Sequence, residues 1–370
     1  MAGTQGPGTI SESFQPDPCD PGTLNLRWTN RETHYDHIDT VEEWGFPLQP
    51  NGEPKKRRTL LNIRRPFSNH NGVNSLNFSP ETGKLVLTTG DGGSGYDPFN
   101  LSQDMMEIAG KIIEIDVRKN TFTSNPPVVT RFNELPVTIQ DTLTIIAKGV
   151  RNIPGISYQR VNNQYKKYTG NVGQDLVESI YSFVNYKPIP VTQLHSETNQ
   201  QGLIDFGWRG WEGAFPTSII RDCANNPDSN EKIIAYYKEA VALSGSRLEP
   251  LTSYFHEDKR PDKFEGTALT GIQPYMGKAI PSLTGSVVFT DLARRESPNR
   301  NKGTLAYATG RPDGKQNDFN VIETDYDFGS QSAYYVSLGT NMDQTRLFLG
   351  VYNSIRVTDL NQGTIFEIVP

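Results

Sequence analysis

Apolar runs in this chain are short, and nearly every one is closed off by Gly, Pro, Asn or Asp. That pattern restricts the fold to many short strands joined by turns. Gly (33) and Pro (25) are abundant together across 370 residues, which disfavours a helical protein. A hydrophobic fraction of 35% is lean but sufficient for a core.

The chain is organised around Ser68–Phe78 and Lys84–Gly93. Alternation over Ser75–Phe78 and Lys84–Leu87 predicts two strands, and Pro80–Gly83 the turn between them. His70 at the mouth of the first strand and Asp91 beyond the second then emerge at one end of a sheet, where loops carry function. Further strands are expected at Leu24–Trp28, Thr40–Trp44, Arg58–Ile63, Gly110–Val117, Leu143–Gly149, Gly155–Tyr158, Tyr165–Tyr168 and Glu178–Phe183. Later ones fall at Gly266–Gly271, Gly285–Asp291, Gly303–Ala308, Tyr334–Leu338, Thr345–Gly350 and Gly363–Val369. Leu101–Ile108 reads as a short helical turn and Asn230–Ala240 as a helix, while the rest of 187–265 reads as a long irregular insertion.

Two segments echo each other: Gly110-Lys-Ile-Ile-Glu-Ile115 and Gly363-Thr-Ile-Phe-Glu-Ile368. Each reads as the strand closing one unit of a repeated sheet. Recurring sheets of about four strands predict an all-β chain and a β-propeller, with a β-sandwich carrying insertions as the competing architecture. Residues 1–22 form a tail or strap, and 23–370 a single propeller domain.

Charge narrows the partners. The net charge of −6, from 36 basic and 42 acidic residues, excludes a generic nucleic-acid binder. The basic run Lys55–Arg58 reads as a solvated hairpin turn. No stretch approaches the roughly 20 apolar residues of a membrane span. The first residues lack the charged and apolar regions of a signal peptide, so none is expected; the compartment stays open. Cys19 and Cys223 can pair or remain free, and His34–His37 reads as a solvated strand edge in preference to a metal site.

Around His70 the residues resemble a known family. Asn69–Gly72, Gly90–Pro98, Ser102–Asp104 and Gly110–Asp116 are similar to the glucose/sorbosone dehydrogenase family. The likeness continues in order through Gly149–Asn152, Gly170–Asp175, Glu178–Ile180, Phe206–Gly213, Leu269–Gly271, Ile280–Asp291 and Gly363–Ile368. The family holds the soluble PQQ-dependent sugar dehydrogenases and the Hedgehog-interacting-protein-like propellers, and the likeness is nearer the second branch. It implies a propeller, six-bladed in the family. Only 69 residues precede His70, so five blades are expected here. Family members are often secreted or periplasmic.

The resemblance also implies a site. His70 takes the position of the base that accepts a sugar hydroxyl proton while hydride leaves to PQQ. Arg151 matches the arginine that stabilises charge on the quinone oxygens, and Asn152 its hydrogen-bonding neighbour. The carbonyls of Gly173 and Gln174 fall where the family holds Ca²⁺ against the cofactor. Asp91 and Asp97 can also bind calcium directly, or belong to a tight loop. A family lysine falls on Met276, leaving Lys278, two residues on, as its substitute on the same strand face. Val172 stands where the family has a cofactor-binding glutamine, and Arg346 and Arg356 sit in contexts unlike its late arginine pair. Blander readings stand beside these: His70 caps a loop, Arg151 pairs with a carboxylate in a turn, and Trp208 and Trp211 are core or blade-interface residues. Two functions follow: oxidation of a sugar hydroxyl by a PQQ- and calcium-dependent enzyme, or a catalytically degenerate propeller that binds a protein or glycan or serves in an assembly.

Overall fold

The computed structural model describes residues 2–5 (backbone alone), 37–47, 52–65, 71–93, 96–97, 100–119, 125–184, 186–194, 202–217, 247–258, 260–298, 300–310, 318–354, 356 and 359–370. His70, the expected strand Leu24–Trp28, the expected helix Asn230–Ala240, both cysteines and His34 lie outside the described residues.

Strands run in chain order as β1 Ala2–Gln5, β2 His37–Gly45, β3 Lys55–Arg65, β4 Val73–Phe78, β5 Leu85–Thr89, β6 Ile112–Ile115, β7 Val128–Val129 and β8 Leu143–Lys148. They continue as β9 Ile156–Val161, β10 Gln164–Asn171, β11 Val177–Phe183, β12 Ile189–Pro190, β13 Ile204–Asp205, β14 Trp211–Glu212, β15 Phe215–Pro216 and β16 Thr252–Phe255. The last are β17 Leu269–Tyr275, β18 Ser286–Ser297, β19 Arg300–Thr309, β20 Asn320–Ile322, β21 Tyr334–Thr340, β22 Leu347–Tyr352 and β23 Gly363–Ile368. Among the described residues the one α-helix is a single turn, Val137–Gln140. The chain is all-β, as expected.

It divides into two compact units, 1–152 with 186–210 and 216–247, and 153–185 with 211–215 and 248–370. The first unit holds a sheet in the order β1-β2-β3-β7 and a larger one, β12-β8-β6-β5-β4, to which β13 adds alongside β8. The centre of the larger sheet is covered on both faces: every residue of Leu85–Thr89 and Ile112–Ile115 is buried, Glu114 among them. Burial on both faces makes Leu85–Leu87 a continuous apolar run, in place of the alternation expected over Lys84–Leu87. Edge strand β4 buries Val73 and leaves Leu76 40% and Phe78 59% exposed. Leu61, Leu87, Ile113, Phe132, Ile139 and Ile145 fill the core of the unit.

The second unit holds three sheets: β16-β11-β10-β9, β17-β18-β19-β20 and β21-β22-β23. Tyr254, Phe264, Phe289 and Phe319 pack with ring centroids 4.9–6.0 Å apart in one of its cores. Tyr275, Val288, Leu305, Tyr335, Leu347 and Leu349 lie in another.

Several expectations are corrected. Lys55–Arg58 is no turn: it opens β3, and Lys56, Arg57 and Arg58 pair with Glu42 and Glu43 across β2 at 2.7–3.3 Å. Leu101–Ile108 forms irregular turns rather than a helix, because Asp97 draws the Leu101 and Ser102 amides to its carboxylate. The stretch 187–265, expected to be mostly irregular, contributes only short strands among the described residues: β12 and β13 pair with β8, and β16 with β11. The echo segments are both third strands of a β-meander, β4-β5-β6 and β21-β22-β23, but only β23 is an edge. Apart from these corrections, Ala2–Gln5, within the 1–22 segment expected as a tail or strap, pairs with β2.

Candidate functional site

The topology of the larger sheet brings distant loops to one end. Val73 opposes Thr89, Thr88 opposes Ile112, and Ile112 opposes Ala147, while β13 runs parallel to β8. The start of β4, the end of β5, the start of β6 and the ends of β8 and β13 therefore coincide. Asn71, Asp91, Lys111, Arg151 and Trp208 all follow from those ends.

Asp91 is the hub. It is 1% exposed and accepts hydrogen bonds from the Asn71 amide (2.9 Å), the Gly93 N–H (3.1 Å) and the Trp208 indole N–H (2.8 Å). Its own N–H donates to the Arg151 carbonyl at 2.9 Å. The Arg151 guanidinium, on a residue 7% exposed, lies 5.7 Å from the centroid of the Trp208 ring, a cation–π arrangement. Burial and the charge of Asp97 push the Asp91 carboxyl up to about 7, against the Arg151 charge and the three donors that favour the carboxylate.

Asp97 is a second buried carboxylate. It accepts the Leu101 and Ser102 N–H groups at 2.8 and 2.9 Å and the Ser102 hydroxyl at 2.7 Å, while its backbone carbonyl takes Arg209 at 2.8 Å. Burial raises its pKa also. Beneath the loop lies Lys111, wholly buried, whose ammonium donates to the carbonyls of Leu101 (3.0 Å), Ser102 (3.0 Å) and Ala109 (2.8 Å). Desolvation brings it down to about 7. Asn152 accepts from the Asn74 amide at 2.8 Å.

The structure thus brings together Asp91, Asp97, Arg151 and Asn152 of the expected set, and His70 lies outside the described residues. Sequence reasoning assigned Trp208, which is 1% exposed, to the core or a blade interface, but missed its indole bond to Asp91 across 117 positions. It also missed Lys111, whose place at the polar position of the Gly110–Ile115 strand gave no sign of burial.

Gly173 and Gln174 belong to the second unit. In their loop the Gln174, Asp175 and Leu176 N–H groups converge on the Glu212 carboxylate, at 2.9 Å for the latter two, forming an anion nest already filled by a side chain. Gly173 donates to Glu178 at 3.2 Å, and a Cβ there would fall 2.0 Å from the Val177 carbonyl oxygen. Glu178, with a side chain shut off from solvent, also holds His256 Nε2 at 2.8 Å. Burial lowers the His256 pKa, but the bond and charge of Glu178 outweigh it and leave the imidazole above its ordinary value. Val172 packs in the apolar cluster of this unit. Lys278 is exposed and lies past Tyr275, where β17 ends, so strand periodicity does not set its direction, contrary to expectation. Among the described residues no group of three or more His, Cys, Asp or Glu is arranged to hold a metal ion, and no helix is long and apolar enough to cross a membrane.

Comparison with known proteins agrees with the resemblance read from the motifs. The family model described as Glucose / Sorbosone dehydrogenase matches residues 40–202, the range holding Asp91, Asp97, Arg151, Asn152, Gly173 and Gln174. The HIPL1 protein of Arabidopsis thaliana is 22% identical over 372 aligned residues, covering 96% of this chain and 47% of that protein. The chain spans about half the length of this curated relative. The chain is thus similar to the glucose/sorbosone dehydrogenase family over residues 40–202 and to HIPL1 over most of its own length, in agreement with the ordered motifs and the all-β sheets.

Proposed function

We propose that this chain is a binding propeller on a sugar-dehydrogenase scaffold, one that recognises a glycan or a protein and has lost the means to hold a quinone. The observation that carries this reading is the state of Arg151: 7% exposed and laid over Trp208, it helps hold a buried network around Asp91. PQQ bears three carboxylates and needs several cations presented to it. Lys278 lies beyond its strand, and the position of the family glutamine is Val172, in an apolar core. The Gln174, Asp175 and Leu176 amides are taken by Glu212 and so are not offered to a ligand carboxylate. The described cationic donors do not fit a calcium-held tricarboxylate.

A glycan array and a proximity-labelling screen with the intact chain test the positive half of the proposal. Enrichment of a defined glycan or protein supports it, and turnover of a sugar with added PQQ and Ca²⁺ contradicts it.

A second reading, oxidation of a sugar hydroxyl, draws on a different observation. Asn71, Asp91, Arg151 and Asn152 converge on one sheet end, and a histidine directly precedes Asn71 in the sequence. Dye reduction across a sugar panel with PQQ and Ca²⁺, abolished in His70→Ala, is the result that would favour it over the first.

A further inference from the structure

The second unit carries a pocket that belongs to neither site described above. In the β18–β19 hairpin, register shifts between Asp291 and Arg294 and between Arg295 and Ser297 carry the tip past the pairing with β17, which stops at Asp291. Lys302 bridges to Ala333 just before β21, and the Gly303 and Ala333 N–H groups donate to the Ala333 and Asn301 carbonyls at 2.8 and 2.9 Å. Because β21 and β22 are antiparallel, the start of β21 and the residues after β22 share that end of their sheet. Between hairpin tip and sheet end lies an open pocket of about 610 Å³, within the roughly 300–1,000 Å³ of small-molecule sites.

Its walls are polar. Arg295, Arg300, Asn301, Gln331, Tyr334 and Asn353 face it, and no described Asp or Glu lines it. Arg300 is paired with Glu296 at 3.0 Å, whereas Arg295 donates to the Pro298 carbonyl at 3.1 Å and pairs with no carboxylate among the described residues. The Asn301 amide donates to the Tyr334 hydroxyl at 3.1 Å, and that of Asn353 to the Ser332 carbonyl at 3.0 Å, so two of the amides and the ring are fixed in place. Side-chain amides both donate to and accept from hydroxyl groups, a braced tyrosine ring gives a flat wall for the C–H face of a pyranose, and a guanidinium forks onto a carboxylate or sulfate.

We propose that this pocket binds an acidic saccharide, with Arg295 and Arg300 on its carboxylate or sulfate and the amides on its hydroxyls. The inference rests on neither reading of the first site, because its residues lie on different sheets and its test does not involve PQQ. Calorimetry on the intact chain would compare an oligogalacturonate, a heparin-derived hexasaccharide, maltohexaose and inorganic sulfate. One or both acidic oligosaccharides bind one to one, and the two arms tell carboxylate from sulfate recognition. Charge-assisted contacts of this kind imply that maltohexaose binds about tenfold or more weakly, and that Arg295→Gln/Arg300→Gln loses about tenfold. Gln331→Ala, at an exposed position, weakens binding without moving the melting temperature, and Arg346→Gln, outside the pocket, leaves it unchanged. The proposal is overturned if neither acidic oligosaccharide binds, if the double variant binds like wild type, or if sulfate alone matches the oligosaccharides.

Discussion

Arg151 and Lys111 are the residues on which the sheet end depends, one at its surface and one beneath. Replacing Arg151 with Ala removes a desolvated cation–π contact and leaves Asp91 buried without its neighbouring positive charge. The expected cost is about 2–3 kcal/mol in urea unfolding. Its pH dependence follows from Asp91, which burial raises to about 7. A carboxyl raised above its unfolded value near 3.8 contributes stability below that value and loses it as pH rises through the folded pKa. Without Arg151 the ionised form is costlier still, so the deficit of the variant is larger at pH 8 than at pH 5. An equal deficit at both would show that Arg151 does not act on Asp91. Lys111→Met strands the carbonyls of Leu101, Ser102 and Ala109 and should cost about 2–4 kcal/mol. Hydrogen exchange would report loosening confined first to the 101–110 turn. Loss of protection beginning instead in β5 or β6 would contradict this role.

Strands were legible where their apolar pattern was local. Alternation over Ser75–Phe78 and Lys84–Leu87 led to β4 and β5, and the Gly-Lys-Ile-Ile-Glu-Ile segment to β6. Lys55–Arg58 misled because four basic residues look like solvated loop, yet Glu42 and Glu43 stand opposite them on β2 and hold them as strand. Strand β16 lacked any local signal: Thr252–Phe255 is a strand because the edge of β11 is there to pair with it. Sheet-to-sheet contact leaves its own trace in glycine. At Gly271 on β17 a Cβ would meet the Leu338 backbone nitrogen at 2.6 Å and the Leu338 Cβ at 2.7 Å. Gly271→Ala must therefore push β17 from β21, lowering stability by about 1–3 kcal/mol. A thermal melt unchanged from wild type would mean the two sheets do not approach as described.

Across the whole molecule, the motifs of the site were easier to read than their state. The strand pattern carried Asp91 and the family resemblance named Arg151 and Asn152, and strand pairing places all three at one sheet end. Nothing local tells that the Trp208 indole would fall on Asp91, or that Glu212 would fill the loop at Gln174, since both contacts join segments far apart in sequence. On the proposed reading, those long-range contacts are what leave the scaffold without the means to hold a quinone. The most direct test is calorimetric titration of the intact chain with PQQ in the presence of Ca²⁺. The account predicts no saturable heat, whereas one-to-one binding that Arg151→Ala weakens while the fold survives would contradict it.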